Sequence, residues 1–211
     1  MKTGLIFDMD GTLWDSSENV AAAWCEKIQQ EYPGRKGVSR DDIMGVMGLT
    51  MDRIADILFG DLPESERYEL LDKCGNSEND YLRAHGGKLY PDIEKTLTEL
   101  GKKYPLYIVS NCQSGYIEAF LEYYGFGKYF EDIECYGNNK KEKSENISLI
   151  MERNGLDKAY YIGDIQGDCD SSEKAGAQFI HASYGFGTID HPVPELKSFS
   201  GLPELLADIE G

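Results

Sequence analysis

The stretch Gly4-Leu5-Ile6-Phe7-Asp8-Met9-Asp10-Gly11-Thr12 sets the architecture of this chain. Its first four residues are an apolar run that predicts a buried strand, and Asp8 and Asp10 follow where that strand ends. Two carboxylates two positions apart on an extended chain point the same way, and open α/β sheets bind ligands at the carbonyl ends of their strands. Gly11 then allows the backbone to turn sharply and approach a ligand. The stretch therefore predicts the first strand of an α/β sheet and a reactive site at its end.

Two later segments repeat this arrangement of an apolar run followed by polar side chains. One run ends in Ser110 and Asn111, and another ends in Asp164, with Asp168 four residues further on. Because the carboxyl ends of parallel strands meet at one edge of a sheet, we expect these side chains to lie near Asp8.

A lysine is placed to bring positive charge to the same edge. Lys143 directly precedes a helix predicted to begin at Ser144, so its charge and the free N–H groups of the helix can converge on one anion. Lys141, in the same charged loop, is the alternative.

Apolar runs and helical patterns alternate over most of the chain. Strands are predicted at 3–8, 105–110, 159–163 and 178–182, with a further candidate at 132–135, and helices at 91–103, 114–124, 144–154 and 168–176. This alternation predicts a doubly wound, Rossmann-like parallel sheet of the α/β class.

One region breaks the alternation, because no strand is predicted between about residues 15 and 86. A helix beginning near Ser16 or Ser17 is followed by helical patterns at about 40–47, 50–59 and 64–83. We expect an all-helical module at 15–87, inserted into an α/β core formed by 1–14 and 88–211.

In this order and spacing, the motifs resemble those of the haloacid dehalogenase superfamily, in its phosphatase branch. The resemblance spans the chain from Asp8 to Asp168. The helical insertion after the first strand is similar to the small cap of phosphoglycolate-phosphatase-like members. The resemblance implies a Mg²⁺-dependent phosphatase that hydrolyses a small phosphorylated metabolite through an aspartyl-phosphate intermediate.

The resemblance also implies catalytic roles for the first motif. Asp8 would be the nucleophile, because a carboxylate can accept a phosphoryl group and divide one transfer into two. Asp10 would be the general acid and base, and Thr12 would help to position Asp10 or its loop. Dehalogenation is less expected, since the dehalogenating branch usually lacks the second acid.

The remaining motifs are implied to bind the phosphoryl group and the metal. Ser110, Asn111 and Lys143 would contact the phosphoryl oxygens, with Ser110 and Lys143 assisting catalysis. Mg²⁺ prefers oxygen ligands and keeps several waters beside a few carboxylates. The implied ligands are Asp8, Asp10 through its backbone carbonyl, Asp164, and Asp168, the last either as a direct or water-mediated ligand or as an orienting group.

Composition argues against several classes of partner and of structural site. The net charge of −17 argues against broad binding to nucleic acid or to an anionic membrane. No apolar run is long enough to span a bilayer. Five cysteines, with no Cys-x-x-Cys pair, argue against a disulfide framework or a zinc site. We therefore expect a cytoplasmic protein that binds a small phosphorylated metabolite, whereas its oligomeric state is not predicted.

Two alternatives stay open. A phosphomutase of the β-phosphoglucomutase kind would use the same core and cap, but would return the phosphoryl group to the substrate. A binding or regulatory module would hold phosphate without turnover. Among substrates, phosphoglycolate, sugar phosphates, nucleotides and pyrophosphate all fit the core.

Overall fold

The computed structural model describes residues 2–211, which form two β-sheets and ten α-helices. The strands are β1 (Thr3–Phe7), β2 (Trp14–Asp15), β3 (Lys88–Leu89), β4 (Leu106–Ser110), β5 (Phe130–Cys135), β6 (Lys158–Gly163), β7 (Gln178–Ala182) and β8 (Glu195–Leu196). The helices are α1 (Ser17–Glu31), α2 (Arg40–Met44), α3 (Met51–Leu58), α4 (Glu64–His85), α5 (Ile93–Leu100), α6 (Tyr116–Tyr124), α7 (Tyr136–Asn139), α8 (Lys143–Arg153), α9 (Gln166–Ala175) and α10 (Leu202–Glu210).

The main sheet is parallel throughout, with strand order β5-β4-β1-β6-β7-β8. Its central strand is β1, whose alternate side chains face opposite layers because successive residues of a strand point to opposite faces. Leu5 and Phe7 belong to the core that includes α5, α6 and α10, whereas Ile6 belongs to the core beneath α8. The predicted doubly wound α/β fold is confirmed.

The three strands that carry the motifs are neighbours, with β4 and β6 on either side of β1. The chain runs from β1 outward to β4 and β5, and then returns to the other side of β1 at β6. The carbonyl end of β1 is therefore a topological switch point, where α/β sheets bind their ligands.

Helices α1 to α4 follow one another between β2 and β3. These two short strands pair antiparallel, Trp14 with Leu89 and Asp15 with Lys88, so the chain leaves and re-enters the core side by side. The ring of Trp14 packs edge-on against Phe120 of the core, with ring centroids 5.0 Å apart. This contact anchors the start of the helical segment.

The structure corrects several predicted boundaries. Helix α8 begins at Lys143 rather than at Ser144, because the backbone N–H of Glu142 donates to the side chain of Glu145 and makes Glu142 the N-cap. Helix α6 begins at Tyr116 rather than at 114, since Gly115 has a left-handed φ of +90°. The sequence patterns also missed β8 and the C-terminal helix α10.

Two expectations about the whole chain can be compared with the structure. All five cysteines are free thiols, as the sequence indicated. Among the helices in residues 2–211, none combines the length and the apolar character that crossing a bilayer requires.

Candidate active site

The end of β1 places Asp8 against Lys143 in the protein interior. The Nζ atom of Lys143 lies 3.0 Å from Oδ1 of Asp8 and 2.5 Å from Oδ1 of Asp168, and all three side chains are almost fully buried. Lys141 is exposed on the preceding loop. Of the two lysines that the sequence proposed, the structure brings Lys143 to the carboxylates.

The end of β6 supplies the other two acids. The carboxylate of Asp168 accepts hydrogen bonds from the backbone N–H groups of Asp164 and Ile165, at 3.0 and 3.2 Å, in addition to that from Lys143. Asp164 accepts a hydrogen bond of 2.7 Å from the backbone N–H of Phe186. Because both oxygens of Asp168 are already engaged, the geometry favours the orienting role among those proposed for it.

The carboxylates of Asp8, Asp164 and Asp168 form a compact, buried group in which one oxygen of each lies within 4.8 Å of the others. Burial raises the pKa of Asp8 to about 7, even though the positive charge of Lys143 lowers it. Burial also raises the pKa of Asp164 to about 8, and the charges of Asp168 and Asp8 raise it further. One lysine does not balance three ionised carboxylates, so full ionisation of the site at neutral pH requires further positive charge. An all-oxygen donor set of this kind fits Mg²⁺.

Asp10 is held by hydroxyl groups from two other parts of the chain. Ser16 donates a hydrogen bond of 2.6 Å to Oδ1, and the hydroxyl of Tyr116 lies 2.8 and 2.9 Å from the two carboxylate oxygens. Burial raises the pKa of Asp10 to about 6, although these hydrogen bonds lower it. The carboxyl group is thus fixed in place by donors that the sequence analysis did not identify.

The remaining predicted residues take different positions. Ser110 is buried at the end of β4, and it lines one cavity together with Asp10 and Asn111. Thr12 is fully buried, and its Oγ1 has no hydrogen-bond partner within residues 2–211. Its carbonyl instead accepts a hydrogen bond of 2.8 Å from Tyr184. Thr12 is therefore anchored through its backbone, and its role in positioning Asp10 stays a prediction.

Gly11 brings the segment after β1 into direct contact with Asp164 at the end of β6. Its φ is +80°, and a Cβ atom at this position would lie 2.0 Å from Oδ2 of Asp164. No side chain fits there without moving the Asp164 carboxylate. The close approach of β1 and β6 at the site therefore requires glycine at this position.

This packing predicts a large loss of stability for Gly11→Ala. Gly34 has a similar φ of +88° but no atom within 4 Å of an added Cβ, so Gly34→Ala carries the backbone strain alone. We expect a loss of about 1 kcal/mol in the free energy of unfolding for Gly34→Ala and about 3 kcal/mol for Gly11→Ala. Denaturant unfolding measures both, and equal losses would contradict the clash with Asp164.

A cavity of about 50 Å³ lies directly above Asp10, with room for a few water molecules. Its floor is formed by the ends of the strands, including Ser110 and Asn111, and its roof by α1 to α4 and their connections. The amide of Asn111 donates a hydrogen bond of 2.9 Å to the carbonyl of Gly48, which joins floor and roof. Most of the roof is apolar, and Glu78 is its one carboxylic acid among the described residues.

Residues 5–182 match the model of the haloacid dehalogenase-like hydrolase family. The chain belongs to this family. The resemblance inferred from the motifs is thereby confirmed, as is the expectation of a hydrolase of the haloacid dehalogenase-like type.

The haloacid dehalogenase-like relatives include enzymes named phosphoglycolate phosphatase. That of Vibrio parahaemolyticus is 29% identical over 199 residues, which cover 86% of this chain and 84% of the relative. That of Vibrio vulnificus is 28% identical over 222 residues, which cover 97% and 91%. A crystal structure from Bacteroides fragilis, titled as a haloacid dehalogenase-like hydrolase, has a TM-score of 0.82 at 24% identity, covering 96% of this chain and all of the other. The structural similarity supports the fold.

Proposed function

We propose that the protein is a Mg²⁺-dependent phosphatase that hydrolyses a small phosphorylated metabolite through an aspartyl-phosphate intermediate. The observation that carries this proposal is the buried pair of Asp8 and Lys143, with Asp10 two residues further on and facing the cavity. The names of the phosphoglycolate phosphatase relatives support the same reaction class.

In the first half of the proposed reaction, a carboxylate oxygen of Asp8 attacks phosphorus. The bond from phosphorus to the leaving-group oxygen breaks, and Asp10 donates a proton to that oxygen. In the second half, Asp10 takes a proton from the water that attacks the acyl phosphate, which releases inorganic phosphate and restores Asp8. Ser16 and Tyr116 hold the Asp10 carboxyl group in one position through both steps.

The other motif residues would stabilise the charge on the transferring group. Lys143 supplies a fixed positive charge at Asp8, and Ser110 and Asn111 supply donors at the end of the neighbouring strand. Mg²⁺ bound by Asp8, Asp164 and the carbonyl of Asp10 would neutralise phosphoryl charge. Asp168 would orient Lys143 and the loop that carries Asp164.

We propose that residues 15–87 act as the cap of this active site. Helices α1 to α4 and their connections roof the cavity, so they would exclude bulk water during transfer and contact the leaving group.

Release of inorganic phosphate from a panel of phosphorylated metabolites tests the proposal. We expect release in Mg²⁺, a loss of at least about 100-fold with chelator, and recovery when Mg²⁺ is returned in excess. Mg²⁺ should also raise the Tm, because it binds the folded carboxylate group. Absence of release from every member by folded, Mg²⁺-loaded protein would overturn the proposal. An isomerised sugar phosphate without net phosphate would identify a mutase instead.

A further inference from the structure

Glu78 lies in the middle of α4 and is buried in the roof of the cavity, with 4% of its surface exposed. The indole N–H of Trp24 donates a hydrogen bond of 2.5 Å to its Oε2. Among residues 2–211, no lysine, arginine or histidine forms an ion pair with Glu78. Its carboxyl group is therefore hydrogen-bonded but lacks a counter-charge.

The rest of the cavity offers no counter-charge either. None of the described residues that line it is a lysine, an arginine or a histidine. Burial raises the pKa of Glu78 to about 8, and the charge of Asp10 adds to this rise. Burying an unpaired charge costs free energy, so the neutral form of Glu78 is favoured at neutral pH until a cation lies beside it. The apolar part of the roof is formed by residues such as Val20, Trp24, Ile43, Val46, Met47 and Met51.

This arrangement distinguishes leaving groups by their charge. A leaving group with its own carboxylate would be buried in this largely apolar lining with no cation to pair with it, and burying an unpaired charge disfavours binding. A leaving group with an ammonium would donate to Glu78 and supply the counter-charge that the carboxyl group lacks.

We propose that Glu78 is a specificity-determining residue, and that the enzyme prefers phosphomonoesters whose leaving group carries a protonated amine over those that carry a second anion. This inference rests on the proposed phosphatase function. Phosphoglycolate, which appears in the names of the relatives, carries such a second anion.

Two series of esters of equal length test the preference in the wild-type enzyme. The first comprises 2-aminoethyl phosphate, 2-hydroxyethyl phosphate and phosphoglycolate, and the second comprises their three-carbon counterparts. In the series whose terminal group is long enough to contact Glu78, we expect kcat/KM for the amine ester to exceed kcat/KM for the carboxylate ester by at least about 100-fold. The value for the alcohol ester should lie between the two.

Glu78→Gln tests the assignment to this residue, since glutamine keeps the shape and an acceptor for Trp24 but cannot ionise beside an ammonium. We expect the ratio of kcat/KM between amine and carboxylate to fall below about 10. Glu69→Gln is the matched control on the same helix, where Glu69 is exposed and pairs with Lys73. That variant should keep the wild-type ratio.

The possible outcomes separate this inference from the proposed function. If the wild-type enzyme hydrolyses neither alcohol ester nor any other phosphomonoester in Mg²⁺, the proposed function fails. If it hydrolyses the alcohols while the carboxylates equal or exceed the amines, the preference is overturned and the phosphatase stands. An unchanged ratio in folded Glu78→Gln overturns the role of Glu78. Should that variant not fold, Trp24→Phe, which removes the donor that orients Glu78, must reduce the ratio.

Discussion

Replacing Asp8 with asparagine is expected to abolish phosphate release, with kcat falling by at least about 10⁴-fold. An amide oxygen does not form the acyl phosphate, so the reaction loses its first covalent step. The fold should persist, because asparagine keeps an oxygen acceptor for Lys143 and removes one buried negative charge from a site with three carboxylates. We therefore expect the Tm to be unchanged or higher.

The control for Asp8→Asn is the same substitution at an exposed acid near the site. Asp170→Asn removes an equal charge from α9, where Asp170 accepts a hydrogen bond from Gln166 and does not contact Asp8. Phosphate release and the Tm are measured for both variants, and acid quenching reports the phosphoenzyme. An Asp8→Asn variant that retains activity within about tenfold of the wild type would remove Asp8 from the role of nucleophile.

Replacing Asp10 with asparagine should slow both half-reactions by about 10²- to 10⁴-fold, because Asp10 is proposed to transfer a proton in each. The first half-reaction depends on the leaving group, since a nitrophenolate needs no proton to depart. With p-nitrophenyl phosphate, we expect a burst of about one nitrophenolate per site followed by slow turnover. The slow step is hydrolysis of the acyl phosphate, because no general base activates the attacking water. Alkyl phosphates should show no burst.

Rapid-mixing kinetics across a Mg²⁺ titration separates the proton-transfer role of Asp10 from a metal-binding role. Asparagine still accepts hydrogen bonds from Ser16 and Tyr116, so the side chain should stay in place. Recovery of the wild-type rate at high Mg²⁺ would show that the carboxylate of Asp10 binds the metal and does not act as the acid.

The sequence predicted those parts of the site that depend on strand ends. Asp8, Asp164 and Asp168 follow two apolar strands, and parallel strands that are neighbours bring their carboxyl ends together. Lys143 was predicted from its place at the start of a helix, and it reaches Asp8 even though that helix begins one residue earlier than expected. Local patterns suffice where the sheet itself determines the geometry.

Other parts of the site depend on how distant elements pack, and local patterns carry no signal for that. Ser16 has the sequence context of a helix cap, yet its hydroxyl donates to Asp10. Tyr116 and Glu78 lie in helices α6 and α4. In such helices the sequence pattern predicts that a tyrosine packs in the core and that a glutamate faces solvent. Their positions follow from the contact of the helical segment with the core, which a single sequence does not encode locally.

The hydrogen bond between Asn111 and Gly48 ties the loop between α2 and α3 to the residue after β4. The same amide is expected to bind a phosphoryl oxygen, so the anion and the loop share one side chain. Thermodynamic linkage makes the two effects reciprocal. If a bound anion changes the stability of the Asn111–Gly48 contact by some free energy, breaking that contact changes the binding free energy of the anion by the same amount. An anion that competes with Gly48 for the Asn111 amide would therefore weaken the contact between this loop and the end of β4.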